Sequence, residues 1–297
     1  MRALRGSMSS VRWVFDSGSW KPMQSEWIRA AQCVQPEEKQ RIGKFVFKRD
    51  AKASMVGRLM LRKMIHRVTK ISYKDIHLSR TDKGKPFLTN TLPEGVQGLS
   101  FNVSHHGNLV VLAGDTLGNV GVDVMKLSAP VGARSISEFF NTMQRQFTEE
   151  EWRCIRQGQD DEAQLAIFYR LWCLKESYVK ALGVGIGFEV KRLNFDLHDP
   201  LTEEGKMVTS TTLHVDGEGT RGWGFQETLL EGHCIAVAHR KDEGKEINDK
   251  TSAPFSFLTY DELLEGTELL SDPDESYGQA FIHKDEDPFA SRKKPNS

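Results

Sequence analysis

The stretch Trp172-Cys173-Leu174-Lys175-Glu176-Ser177-Tyr178-Val179-Lys180-Ala181-Leu182 constrains the fold more than any other part of the chain. Read as a helix, it puts Trp172, Glu176 and Lys180 on one stripe, each four residues from the next. A lone Glu–Lys pair at this spacing is ordinarily a solvated surface pair contributing about 0.2–0.5 kcal/mol. Beside a tryptophan the stripe is expected to be half buried, and half-buried charge needs a partner. The run Gly183-Val184-Gly185-Ile186-Gly187 stops the helix, because glycine tolerates the left-handed conformation that helix ends require. This helix belongs to the second of two similar passages. From Val11 the order is strand, short helices, long helix, strands, and after Lys126 it recurs without any residue-level repeat.

In the first passage Val11–Phe15 reads as a strand. Ser25 is expected to cap a helix whose inner side is Trp27, Ile28 and Ala31. Pro36 opens a second helix, where its missing N–H costs nothing, and a long amphipathic helix over Asp50–Val68 carries Met55, Leu59, Met60 and Met64 at core spacing. Strands are expected at Ile76–Arg80, Phe87–Thr89 and Leu99–Ser104. Leu109–Ala113 and Val120–Val124 flank a polar turn and read as a hairpin. In the second passage Ser137–Met143 is helical, Thr148-x-x-Glu151 is a capping box, and Glu162–Leu182 is the second long helix. Strands follow at Arg192–Leu197, Thr212–Val215, Gly222–Gln226 and His233–Arg240. These readings divide the chain into an N-terminal half (11–125), a C-terminal half (126–241) and a polar tail (242–297). The tail segments Lys241–Thr251 and Ser271–Ser297 have the charged, aromatic-poor composition of disorder. Pro254–Leu264 reads as a short helix covering core, with a partner-binding motif as the alternative.

Charge and cysteine usage exclude several classes. A net charge of -1 over 297 residues argues against a whole-surface field for nucleic acid. The four cysteines, Cys33, Cys154, Cys173 and Cys234, form no C-x-x-C pair, so a zinc site or disulfide framework is not expected. No apolar run is long enough to span a bilayer. The cytosol is the expected compartment, despite Arg2, Arg5 and the lack of any acid before Asp16.

Three places could carry chemistry. Arg80-Thr81-Asp82-Lys83-Gly84-Lys85-Pro86 reads either as a solvated hairpin turn or as a cradle in which several cations and a flexible backbone surround a dianion. Ser104-His105-His106-Gly107 closes a strand. Its adjacent histidines point to opposite faces and so cannot both hold one metal ion, whereas a single histidine donating to phosphate is reasonable. Asp123 lies in the apolar run Val120-Gly121-Val122-Asp123-Val124. It reads either as an aspartate at a fraying strand end or as a ligand for a hard cation. There is no Walker loop, nucleophile elbow or H-E-x-x-H motif. Two separated carboxylates, with Arg41, Arg80, Lys83, Lys85 and Lys180, suit a magnesium ion on a pyrophosphate and phosphoryl-type transfer.

Val120-Gly121-Val122-Asp123, followed by Trp172-x-x-Lys175-Glu176-Ser177-x-x-Lys180-Ala181, resembles the two-part signature of 4'-phosphopantetheinyl transferases. Gly84-Lys85-Pro86 and Ser104-His105-x-Gly107 sit where that family has its upstream motifs. The chain length resembles the surfactin-synthetase-type branch. The resemblance implies an α+β fold of two similar halves related by pseudo-two-fold symmetry, with the active site in the cleft between them. It implies transfer of the 4'-phosphopantetheine arm of coenzyme A to a serine of an apo carrier protein, releasing adenosine 3',5'-bisphosphate. Asp123 and Glu176 would hold Mg2+, Glu176 would accept the serine proton, and Lys180 would neutralise the pyrophosphate. Arg41, Arg80, Thr81, Asp82, Lys83, Gly84, Lys85, Asn102, Val103, Ser104 and His105, with Glu176 and Lys180, would surround coenzyme A, including its nucleotide and 3'-phosphate. Acyl carrier protein and the carrier domains of fatty acid synthase or aminoadipate-semialdehyde dehydrogenase would be partners of a monomeric enzyme. Met125 stands where many relatives have an acid; a thioether is a poor magnesium ligand, so water or a side chain near His106 is expected to complete the coordination. The rival readings are a non-catalytic module that binds coenzyme A or carrier proteins, and a magnesium-dependent nucleotide phosphatase.

Overall fold

The computed structural model describes residues 10–241 and 253–287, except residues 97, 117, 130, 131, 133 and 186. β1 (Ser10–Asp16) is buried along nearly its whole length because both of its faces are covered. Val11, Trp13 and Phe15 enter one core and Val14 another, as the two-residue period of a strand requires. α1 (Gln24–Gln32) starts two residues earlier than a Ser25 cap would place it. Its N-cap is Met23, whose N–H donates to Glu26, so Ser25 lies inside the first turn. α2 (Pro36–Gly43) has proline in its first turn. α3 (Lys48–Thr69) buries Met55, Leu59, Met60 and Met64 and ends at Lys70 in the left-handed region. β2 (Leu78–Arg80) and β3 (Pro86–Leu88) form a two-stranded sheet, and β4 (Ser100–His106) and β5 (Leu109–Asp115) are antiparallel neighbours.

The expected hairpin after β5 does not form. β5 already pairs with β1 on one edge and β4 on the other, so β6 (Gly118–Lys126) cannot add to it. β6 instead pairs antiparallel with β12 (His233–Lys241), setting Asp123 opposite Ala236. Val111 and Ala113 then pack against Val120, Val122 and Val124 in a core between the two sheets. The strand carrying Asp123 thus shares a sheet with three strands encoded after residue 200.

Side chains stitch β4 to β6. The N–H groups of Val120, Val122 and Lys126 donate to Ser100 Oγ, Asn102 Oδ1 and His106 Nδ1 at 3.0, 3.1 and 2.9 Å. Between them, Ser104 Oγ donates to Asp123 Oδ1 at 2.8 Å. Alternate residues of β4 therefore do what a neighbouring strand's carbonyls usually do. Beyond the end of this seam, the buried His233 accepts from the Asn108 N–H through Nε2 at 3.3 Å.

The C-terminal part contains α4 (Ile136–Met143), α5 (Glu149–Arg156) and α6 (Asp161–Leu182). The capping box at Thr148 is present, and Gly183, at φ 72°, ends α6 as its sequence predicts. β7 (Leu193–Asp196), β9 (Thr212–Val215) and β10 (Glu218–Gly219) form one sheet. β8 (Met207–Val208) and β11 (Trp223–Leu230) join β12 and β6 in another. α6 lies directly on β6. A Cβ on Gly121 would sit 2.1 Å from the Ser177 carbonyl oxygen and 2.4 Å from the Ala181 nitrogen, so only glycine fits there.

The chain then returns to its first half. β13 (Ser256–Phe257) adds in parallel to β1, α7 (Tyr260–Leu264) buries Leu263, and α8 (Glu275–Ile282) stacks Phe281 on Trp27 at 3.7 Å between ring centres. Pro254–Leu264 docks as expected. The disorder expected from Ser271 onward is overturned for α8: Tyr277 and Phe281, four residues apart, give a locally apolar stripe that the polar average conceals. The expected disorder over 242–252 and 288–297 lies outside the described residues.

Candidate active site

The close packing of β6 and α6 brings two separately encoded groups together. Lys180 Nζ lies 2.6 Å from Asp123 Oδ1 and donates to Ser104 Oγ at 2.9 Å. The lysine of the Glu–Lys stripe is thus paired across the layer with Asp123. Trp172, Glu176 and Lys180 are all half-buried and line one pocket of about 660 Å³. Burial pushes the Glu176 carboxyl above its ordinary range; the nearby Asp123 charge adds to this and Lys180 opposes it.

Asp123 Oδ2 is buried and has no hydrogen-bond partner among the described residues. An orphaned carboxylate oxygen is costly, and a second carboxylate close enough to repel it makes the place suited to a hard cation. Among the described residues no group of three or more His, Cys, Asp or Glu side chains gathers. Met125 packs against the C-terminal core, and His106 Nδ1 is engaged with the Lys126 N–H.

The far wall of the pocket comes from the N-terminal part. Glu38, buried on α2, is gripped by three guanidiniums. Arg58 Nη2 lies 2.8 Å from Oε1, Arg80 Nε 2.9 Å from Oε1, and Arg41 Nη2 2.8 Å from Oε2. Burial alone would raise the Glu38 carboxyl, but the arginines hold it at about 2. Arg41 and Arg80 line the pocket, and so does Arg58, which the sequence reading did not single out.

The turn between β2 and β3 behaves differently from a free phosphate cradle. Lys85 Nζ donates to the Lys180 carbonyl at 2.9 Å and Lys83 Nζ donates to the Val184 carbonyl. Both cations meet the carbonyl end of α6, where the helix dipole favours them. Lys83, Gly84 and Lys85 line the pocket, whereas Thr81 and Asp82 do not; Thr81 closes the turn by hydrogen bonds to Lys85 and Gly84. Gly84 needs its glycine, with φ at 81°. Asn102, Val103, Ser104 and His105 also line the pocket. Burial, aided by the Lys180 charge, lowers the His105 pKa and keeps the ring neutral near pH 7.

Lys175, beside Glu176 in sequence, faces the opposite way. It is fully buried, 2.8 Å from the fully buried Glu151, and donates to the Val190 and Leu193 carbonyls at 2.9 and 2.5 Å. It fixes α6 against α5 and β7, so its work is to hold the helix that presents Glu176.

Glu176 and Lys180 at one place and Arg41, Arg58 and Arg80 at another line the same pocket. Two family models divide the chain in register with this architecture. Residues 18–117 match the N-terminal 4'-phosphopantetheinyl transferase model, and residues 119–238 match that of the 4'-phosphopantetheinyl transferase superfamily. The chain belongs to the 4'-phosphopantetheinyl transferases: it is an enzyme that transfers phosphopantetheine to carrier proteins, and a non-catalytic binding module finds no support. It is 46% identical over 292 residues to the L-aminoadipate-semialdehyde dehydrogenase-phosphopantetheinyl transferase of Xenopus laevis, covering 96% of each chain. It is 43% identical to the human protein of that name, covering 95% of this chain and 94% of the other. The 4'-phosphopantetheinyl transferase Sfp of Bacillus subtilis is more distant, 29% identical over 59% of this chain and 71% of its own. No helix among the described residues is long and apolar enough to cross a membrane.

Proposed function

We propose that this transferase works at the Asp123–Glu176–Lys180 site, moving the 4'-phosphopantetheine arm of coenzyme A to a serine hydroxyl and releasing adenosine 3',5'-bisphosphate. The observation that carries this assignment is the buried, unpartnered Oδ2 of Asp123 beside the Lys180 ion pair and the Glu176 carboxyl. Asp123 and Glu176 would hold Mg2+, which when bound withdraws electron density from the diphosphate oxygens. Lys180 places a fixed positive charge beside the leaving phosphate. Glu176, its proton affinity raised by burial, takes the serine proton directly or through water. The serine oxygen bonds to the pantetheine-bearing phosphorus as the bond to the nucleotide phosphate breaks. Arg41, Arg80, the Lys83-Gly84-Lys85 turn and the Asn102–His105 stretch surround the nucleotide, with Thr81 and Asp82 shaping the turn behind it. Residues 11–125 and 126–241 would act as pseudo-symmetric halves around a shared cleft. The protein would be a cytosolic monomer.

The carriers would be acyl carrier protein, fatty acid synthase and, as the names of the relatives suggest, aminoadipate-semialdehyde dehydrogenase. Incubation with coenzyme A, Mg2+ and an apo carrier should add one phosphopantetheine mass to the carrier. A chelator or Glu176→Ala should abolish the gain. No mass change with several apo carriers would overturn the assignment.

A further inference from the structure

The corner between α2 and α3, residues 44–47, carries no capping side chain of its own. A helix end must find partners for its last carbonyls, and the next helix for its first N–H groups. Phe47 is the N-cap of α3, and a phenylalanine ring cannot accept those N–H bonds. One short segment from near the end of the chain meets both needs. Lys284 Nζ donates to the carbonyls of Gly43 and Phe45 at 3.0 and 2.7 Å. Just beyond it, the carbonyls of Asp285 and Glu286 accept from the N–H groups of Lys48 and Arg49 at 2.8 and 3.1 Å. α8 carries the segment there: Tyr277 Oη donates to the Lys39 carbonyl at 3.1 Å, and Lys39 Nζ lies 2.9 Å from Asp274 Oδ2. The corner so held faces the pocket. Arg41 and Phe45 both line it, with the guanidinium 5.6 Å from the ring centre, and Ser54, which accepts from Arg41, lines it too.

We infer that Lys284, with the backbone of residues 285 and 286, is a positioning element for coenzyme A: it fixes the α2–α3 corner in the shape that receives the ligand. Residues 284–286 do not line the pocket themselves, so they act through Arg41 and Phe45. An ammonium on the carbonyls at the end of α2 is favoured by the helix dipole, and its bonds are charge-assisted. Without it the corner loses its hold from the tail and must be ordered when the ligand arrives, which lowers affinity. The Asp123–Glu176–Lys180 group sits on other elements and keeps its geometry, so the chemical step is spared. The inference rests on the proposed function, because it takes this pocket as the coenzyme A site. It also gives the last described segment a task beyond completing the first core.

The test measures kcat and KM for coenzyme A in the full-length chain, with saturating apo acyl carrier protein at fixed Mg2+ and ionic strength. Lys284→Met should raise KM for coenzyme A by about fivefold or more, as loss of a charge-assisted hydrogen bond would, with kcat within twofold of wild type. Lys284→Arg should recover part of the loss. If Lys284→Met fails to fold, Lys284→Gln, which keeps a donor without the charge, should still raise KM at least twofold. Two controls separate positioning from simpler effects. Lys44→Met removes an equal charge from an exposed site on the same corner and should leave KM for coenzyme A within twofold. Leu263→Ala opens a cavity beneath α7, which is bonded to Glu26 and Lys63; it should lower the melting temperature and leave that KM within twofold. An unchanged KM in folded Lys284 variants, or a rise matched by either control, would overturn the positioning role. Absence of transfer by wild type would instead strike the proposed function.

Discussion

Gly121→Ala is the sharpest test of how this site is assembled. The added Cβ would lie 2.1 Å from the Ser177 oxygen and 2.4 Å from the Ala181 nitrogen, both backbone atoms of α6. Ordinary contact begins near 3.4 Å, so helix and strand must separate by roughly 1 Å. Overpacking of this kind costs about 1–3 kcal/mol. The larger effect falls on activity. Asp123 is two residues along the strand, and Glu176 and Lys180 flank the point of collision on the helix. Separation lengthens the 2.6 Å Asp123–Lys180 contact and pulls the two carboxylates apart. A displacement of about 1 Å at a reacting centre can cost roughly 10²-fold in rate. The measurement is carrier modification followed by mass spectrometry, beside urea unfolding of the same samples. A rate within twofold of wild type, in a variant as stable as wild type, would refute the claim that α6 rests on this glycine.

Other outcomes follow from single contacts. Lys175→Met strands the fully buried Glu151 carboxylate and should destabilise the fold by about 3–5 kcal/mol in urea unfolding; adding Glu151→Gln should restore part of this. Asp123→Asn removes charge but little volume, so the Mg2+-dependent rate should fall roughly 10²-fold or more while the melting temperature changes far less. His233 is buried neutral, with its pKa lowered below 6.5 mainly by burial. The unfolded chain therefore binds a proton that the folded one resists, and stability should fall as pH drops below 6.5. His233→Gln should flatten this part of the stability-versus-pH curve, as read by urea midpoints at pH 7.5 and 5.5.

The long helices, the Thr148 cap and the glycine stop at Gly183 could be read from the sequence because local spacing and backbone freedom set them. Asp123 and Glu176 stood out because a charge in an apolar run, or beside a tryptophan, has few ordinary explanations. The wall around Glu38 could not be read this way. A glutamate in a helix's first turn and an arginine on an amphipathic helix look like surface charge, and only the tertiary fold buries and joins them. β6 misled for a different reason: a turn flanked by apolar strands suggests a hairpin, but the edges of β5 are claimed by β1, encoded far upstream, and by β4. The contacts of Lys83 and Lys85 with the carbonyl end of α6 could not be read either, because a sequence does not show which helix end lies within their reach.

Residues 253–287 finish the half of the molecule that begins at β1. During synthesis the first sheet must wait, one edge open and Trp27 without its stacking partner, until the whole second half has left the ribosome. A premature stop shortly after β12 would therefore injure the part of the protein made first and leave the part made last nearly whole.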